Sequence, residues 1–295
     1  KQGGAQMFAY DIDGDGDNDV ATALNAHSWG MAWHEQVRID GKETFKQHIV
    51  MTDKPEGNPY GVCFSQPHAM DCVDIDGDGI KDLVTGKCYY AHNGKDPGAE
   101  QPAVLYWFRT TRHKNGTTEL IPYLIDDNSG VGRQISTGDL NGDGYDDLIF
   151  WNRGASLDQA FLNDRTGKFV PAPIRLPLVS GVVVASTTVD LDGDGMDDLV
   201  LCRASASVLV AFGRRNGRMQ LAAPFPSGRA RSAATGDANG DGRIDVALFG
   251  TGDGAVQFHL ANSNALTRHL SGENALLVVN GPDSYVSPDW YEVED

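Results

Sequence analysis

Five nine-residue segments of this chain follow one pattern, Asp-x-(Asp or Asn)-Gly-Asp-Gly-x-x-Asp, and no other feature limits its folding as strongly. They read DIDGDGDND from Asp11, DIDGDGIKD from Asp74, DLNGDGYDD from Asp139, DLDGDGMDD from Asp190 and DANGDGRID from Asp237. Their starts lie 63, 65, 51 and 47 residues apart. Self-similarity at such intervals marks repeated supersecondary units with loops of variable length, and four strands with their turns fit within ~40–50 residues.

The flanks set the type of unit. Each loop is followed by an apolar, β-favouring run: DVATAL, DLVTGK, DLIFWN, DLVLCR and DVALFG. Each is preceded by a run of small, apolar and β-branched residues, such as AQMFAYD and VASTTVD. Helical 3.6-residue periodicity is absent, so each loop joins two adjacent strands. Further strand candidates follow, among them AVLYWFRT and LIPYLID, with Gly, Asn, Asp and Pro between them. One motif therefore marks one small antiparallel sheet. Several such sheets in a row suggest radial repetition, which leaves few exposed edges.

The loop pattern has a chemical reading. Positions 1, 3, 5 and 9 offer side-chain oxygens and position 7 a backbone carbonyl, while calcium takes six to eight hard oxygens at roughly 2.3–2.6 Å. The expected ligands of the first loop are Asp11, Asp13, Asp15, the carbonyl of Asp17, and Asp19. The second offers Asp74, Asp76, Asp78, the carbonyl of Ile80, and Asp82. The third offers Asp139, Asn141, Asp143, the carbonyl of Tyr145, and Asp147. The fourth offers Asp190, Asp192, Asp194, the carbonyl of Met196, and Asp198. The fifth offers Asp237, Asn239, Asp241, the carbonyl of Arg243, and Asp245. The loops contain neither His nor Cys, which zinc prefers, and magnesium usually keeps its waters. An EF-hand has a bidentate Glu at position 12, where this chain has Thr22, Thr85, Phe150, Leu201 and Leu248. A metal-free Asx turn is the alternative at any one loop. Five copies with the same carboxylate positions favour about five calcium ions. Asn141 and Asn239 remove one charge each, so the third and fifth sites are expected to bind more weakly.

On these motifs the chain resembles the FG-GAP/VCBS repeat family, whose blades also occur in integrin α-subunit propellers. GGAQMFAYDIDGDGDNDV, HAMDCVDIDGDGIKDLVTGK, AHNGKDPGAEQPAVLYWF and IDDNSGVG are further similar to secreted VCBS-type proteins of environmental bacteria. The resemblance implies an all-β, β-propeller fold of four-stranded antiparallel blades in one domain over 1–295. It also implies an extracellular, cell-surface or periplasmic location. Family propellers typically have seven blades and five motifs are visible here, so blades without the motif, a different closure, or a larger parent chain are all open. The chain begins at Lys1 and not at Met, which reads as a processed or trimmed product.

Composition excludes some partners. The formal charge is -17, which disfavours nucleic acid and anionic membrane. Of the 41 acidic residues, 21 lie in the five loops, so much of this acidity reads as unfilled ligand. No apolar run is long enough to span a membrane. The four cysteines, Cys63, Cys72, Cys88 and Cys202, are given no pairing, since a chain of this size does not need disulfides.

A second group of residues lies away from the loops in sequence. His68 precedes Asp74 by six residues, His92 follows Asp82 by ten, and His27 follows Asp19 by eight. All three are expected at the hairpin ends remote from calcium. Trp29, His34 and Asp96 are grouped with them as ligand-binding candidates. Converging imidazoles suit a second divalent metal such as zinc. The alternative is that each histidine hydrogen-bonds within its own loop. No phosphate-cradling loop, G-x-S-x-G elbow, H-E-x-x-H or C-x-x-C is present. The leading functional expectation is a calcium-stabilised module that binds a glycan or a protein. A metal-assisted carbohydrate lyase or dehydratase using the histidines is the second, and a structural subunit of a surface assembly the third.

Overall fold

A computed structural model describes residues 3–131, 134–151, 159–172, 182–204, 206–214, 219–221, 230–238, 240–250, 256–262 and 274–280. Among the described residues the architecture is all-β, with five four-stranded sheets, one per motif. The first sheet is β1 (Met7–Tyr10), β2 (Asp19–Ala23), β3 (Met31–Ile39) and β4 (Lys42–Met51). The second is β5 (Pro67–Val73), β6 (Asp82–Lys87), β7 (Leu105–Arg112) and β8 (Thr118–Asp126). The third is β9 (Gln134–Gly138), β10 (Asp147–Trp151), β11 (Gln159–Asn163) and β12 (Phe169–Pro171). The fourth is β13 (Val183–Val189), β14 (Asp198–Arg203), β15 (Ala206–Phe212) and β16 (Gln220–Leu221). The fifth is β17 (Ser232–Gly236), β18 (Asp245–Phe249), β19 (Val256–Asn262) and β20 (Asn274–Asn280).

Strand order within each sheet follows the chain, as expected of short hairpin connections. The aspartate loop is always the first of them, and the ninth motif residue opens the second strand. The second strands are the most buried elements. Every residue of β6, β10 and β14 is buried, so both faces of these largely apolar strands are covered. In the first sheet the fourth strand is the wet edge: β4 is exposed over six successive residues from Lys42 to Gln47.

One expectation is corrected in the fifth sheet, where β20 runs parallel to β19, from Val256 opposite Asn274 to Asn262 opposite Asn280. A parallel pair cannot be closed by a tight hairpin and needs a crossover. The intervening residues 263–273 lie outside the described residues.

The chain divides into two compact units, residues 1–135 with 163–169 and residues 136–162 with 170–295. In the first, the two sheets bury Ile12, Met31, Trp33, Met51, Phe64, Leu83 and Phe108 in one cluster. Full burial of a side chain such as Leu83 contributes about 1.5–3 kcal/mol. In the second unit, one cluster joins Ile149 and Trp151 to Leu199, Leu201 and Leu209, and another joins Val200, Cys202 and Val210 to Val246 and Leu248. The four cysteines are free thiols. Helical structure among the described residues amounts to a turn at Pro55–Gly57 and another at Ala91–Gly94.

Candidate functional site

The five aspartate loops share one hydrogen-bonded shape. The first aspartate accepts from both glycine amides: Gly77 N–H donates to Asp74 Oδ1 and Gly79 N–H to Oδ2, each at 2.8 Å. The same pair of bonds recurs from Gly14 and Gly16 to Asp11, and from Gly142 and Gly144 to Asp139. It recurs again from Gly193 and Gly195 to Asp190, and from Gly240 and Gly242 to Asp237. All ten glycines have φ between 75° and 97°, the left-handed region where a side chain is strained, so the curl needs glycine at both positions.

The ninth residue closes the loop from below. Asp19, Asp82, Asp147, Asp198 and Asp245 are all at least 98 % buried. Each accepts the amide of the second loop residue: Ile12, Ile75, Leu140, Leu191 and Ala238, at 2.8–3.1 Å. The other oxygen reaches the third strand, where Thr110 N–H donates to Asp82 and Gln36 N–H to Asp19, both at 2.8 Å. Burial pushes the Asp82 carboxyl up to about 7 and the Asp198 carboxyl to about 8, and neighbouring loop aspartates add to the rise in each.

Positions 1, 3 and 5 converge in three loops. Asp11, Asp13 and Asp15 each present an oxygen within 4.8 Å of the others, as do Asp74, Asp76 and Asp78, and Asp190, Asp192 and Asp194. Burial first, and then like charge, raises the carboxyl groups of Asp13, Asp76 and Asp192. Two oxygens at the third position, Asn141 Oδ1 and Asp192 Oδ1, are buried without a hydrogen-bond partner. A curled loop of acceptor oxygens with some left unsatisfied fits a hard cation. Asn239 lies outside the described residues.

Sequence reasoning missed the arginines at these loops. Arg109 of β7 holds Asp76 at 2.6 Å and Asp78 at 3.1 Å, and Arg214 holds Asp192 at 3.0 Å and Asp194 at 3.3 Å. The available signal was a basic residue on or just after the third strand, level with the loop.

At the remote strand ends of the first unit, three histidines come together. His27 sits between β2 and β3, His68 near the start of β5, and His92 after β6. The His27 ring centroid is 4.7 Å from that of His92 and 5.6 Å from that of His68. Asp96 Oδ2 lies 3.2 Å from His27 Nδ1 and 2.9 Å from His92 Nδ1. Desolvation works to raise the Asp96 carboxyl, but hydrogen bonds and charge from His92 and His27 outweigh it and hold the group below its ordinary value.

Trp29 stands beside this group. It bridges to Ser65, and a Cβ on Gly98 would meet the Trp29 ring at 2.9 Å, so the indole packs against the loop that carries Asp96. His34 does not belong there. It lies on β3 opposite Val20, one residue from Asp19, and contacts Gln47 Nε2 at 3.2 Å. Three residues of extended strand beyond Met31 carry it towards the aspartate loop.

A residue not singled out in the sequence underlies the histidine end. Lys87 closes β6, is fully buried, and donates to Gly98 O at 2.7 Å, Ser65 Oγ at 2.9 Å and Gln66 Oε1 at 3.4 Å. Its signal was a lysine ending an otherwise apolar run, DLVTGK.

Among known proteins, the biofilm matrix protein Bap1 of V. cholerae aligns at 15 % identity and TM-score 0.43, over 84 % of this chain and 35 % of that one. An arginine-to-alanine mutant of AofleA from Arthrobotrys oligospora aligns at 10 % identity and TM-score 0.44, over 86 % of this chain and 65 % of that one. The chain thus spans about a third of Bap1 and just under two thirds of AofleA, and neither likeness is close enough to bear on function. No curated protein matches. A family model for an FMN-binding domain matches residues 244–295, a small terminal part of the chain that lies largely outside the described residues. The FG-GAP-like repeat model matches residues 11–85, 74–150, 139–201 and 190–248, each match running from one aspartate loop past the next, and the chain belongs to the FG-GAP-like repeat family.

Proposed function

We propose that this chain is a calcium-stabilised, extracellular β-propeller that serves as a glycan- or protein-binding module. The observation that carries the reading is the recurrence of one loop shape in all five sheets, with carboxylates converging in three of them. Carboxylates held this close raise one another's cost of ionisation, and a divalent cation removes that cost. In each loop the first, third and fifth side chains and the seventh carbonyl are the groups that would hold calcium. The ninth aspartate, the remaining expected ligand, is buried beneath them, and in the second loop both its oxygens accept backbone amides. Extracellular calcium is abundant enough to fill even weak sites, with dissociation constants on the order of 10⁻⁴–10⁻³ M. The meander sheets and their face-to-face cores suit propeller blades. Ligands are expected at the strand ends remote from the aspartate loops, where longer connections are free to vary on a rigid scaffold.

The test is calorimetry with and without chelator, followed by a glycan array on the calcium-loaded protein. Each filled site adds RT ln(1 + [Ca]/Kd), roughly 2.7 kcal/mol when calcium is 100-fold above Kd. Equal melting of calcium-loaded and demonstrably metal-free protein overturns the calcium reading. Failure of the loaded protein to retain any glycan or protein ligand overturns the binding-module reading.

A further inference from the structure

Two imidazoles and a carboxylate meet at one point in the first unit. His27 Nδ1 and His92 Nδ1 both face Asp96 Oδ2, at 3.2 and 2.9 Å. Among the described residues this is the one group of three potential metal ligands, all within 4.8 Å of one another, that contains histidine. A tetrahedral zinc ion with bonds of about 2.0–2.2 Å holds neighbouring ligand atoms roughly 3.3 Å apart. The two spacings to Asp96 Oδ2 need only a few tenths of an ångström of opening to admit such an ion. Two nitrogens and one oxygen are also the wrong donor set for calcium and a suitable one for zinc.

The plainer reading is that Asp96 merely accepts a hydrogen bond from each ring. Two features favour the metal. Six non-glycine residues have positive φ among the described residues, and four of them, Gln66, Tyr90, His92 and Asn93, lie at this end. A backbone forced into the left-handed region at His92 itself, with φ 50°, is stored strain of the kind that positions functional groups. Beneath it, the buried ammonium of Lys87 fastens Gly98, two residues from Asp96, to Ser65 and Gln66. The carboxylate is thus pre-set and does not have to be recruited. The mouth is open: the His27, His92 and Asp96 side chains are 35 %, 59 % and 15 % exposed.

We propose that His27, His92 and Asp96 bind one divalent transition cation, zinc above all, through three protein ligands, leaving an outward position for water or an oxygen donor of a bound ligand. Three protein ligands with an open fourth position is the arrangement of reactive zinc sites, whereas purely structural ones are closed. This site is separate from the aspartate loops and does not depend on their filling.

The test uses the whole chain in excess calcium, with zinc titrated against a chromogenic chelator and cobalt as a spectroscopic substitute. The expected result is one zinc per chain and a cobalt visible spectrum showing nitrogen ligation. His92→Ala and His27→Ala should each weaken zinc by about 100-fold or more, and Asp96→Asn by at least about tenfold, with calcium content and melting unchanged. His48→Ala and His113→Ala serve as controls, since His48 pairs with Glu35 and stacks on Trp33, and His113 pairs with Glu119, away from Asp96. They should leave zinc binding intact. Zinc that binds equally to the His27→Ala and His92→Ala variants, or that is lost on Asp13→Ala instead, overturns the proposal. So does a cobalt spectrum of the wild type with oxygen ligands only, a measurement that needs no variant to fold.

Discussion

The ammonium of Lys87 and the carbonyl oxygen of Gly98 lie 2.7 Å apart, with the lysine wholly removed from solvent. Burial pushes the lysine down to about 8 from an ordinary 10.5, against upward pulls from Cys88 and then Asp96. A buried strand therefore ends in a cation that ties the connection before β7 to residues ahead of β5.

The stability attributable to Lys87 should depend on pH. Its folded value, about 8, lies below the unfolded 10.5, so between these limits the unfolded chain binds more protons. Stability from this residue then rises with pH through that window and is lost as pH falls through about 8. The raised thiols of Cys72 and Cys202 titrate in the opposite sense, so the comparison must be with Lys87→Met, where they cancel. Wild type should gain on the variant by up to about 3 kcal/mol between pH 8 and 10.5. A difference flat in pH would show that burial does not move the lysine from its unfolded value.

The loops should rank by charge. Asp76→Ala and Asp192→Ala each remove a carboxylate from a converging trio, whereas Asn141→Ala removes a neutral oxygen. In calcium the first two should cost more of the calcium-dependent stability, up to the full ~2.7 kcal/mol per site at 100-fold excess. Calorimetry of the three variants with and without chelator reads this directly, and the reverse order would mean that the neutral loops are the filled ones.

The ninth aspartate should matter even without metal. Asp82 takes the amides of Ile75 and Thr110, both inside the protein. Asp82→Ala orphans two buried donors, at about 1–3 kcal/mol each. Its destabilisation should therefore persist in chelator, while that of Asp76→Ala should shrink there. Identical chelator responses for the two variants would contradict this division of roles.

How much of this was legible from sequence follows from range. The loops and their strands were readable because glycine at two fixed positions and an apolar run after the ninth aspartate act within a dozen residues. The remote placement of His27, His68 and His92 could be counted off along strands, but their meeting depends on two sheets packing through Trp33, Leu83 and Phe108. His34 was grouped with Trp29 by closeness in sequence, but it lies three residues into β3, which begins at Met31 and runs towards the aspartate loop. Lys87 was passed over because its partners Ser65 and Gly98 lie 22 and 11 residues away. The parallel pairing of β20 has no local signature at all.

Arg109 leads to the last prediction. Its guanidinium lies on Asp76 and Asp78, 2.6 and 3.1 Å from their carboxylates, at the place where calcium would bring its own charge. The two cations compete for the same oxygens, so calcium must either expel the guanidinium or share the carboxylates with it. Arg109→Gln removes the competitor and keeps a side chain of similar reach. Calcium affinity of the second loop should then rise several-fold, a change on the order of 1 kcal/mol, as expected for a partly exposed ion pair. In chelator the same substitution should lower stability, because three carboxylates are left facing one another. Raising ionic strength should shrink both effects, since the pair is open to solvent. Isothermal calorimetry in low and high salt separates the outcomes. Weaker calcium binding in Arg109→Gln would mean that the guanidinium orients the carboxylates for the ion and does not oppose it.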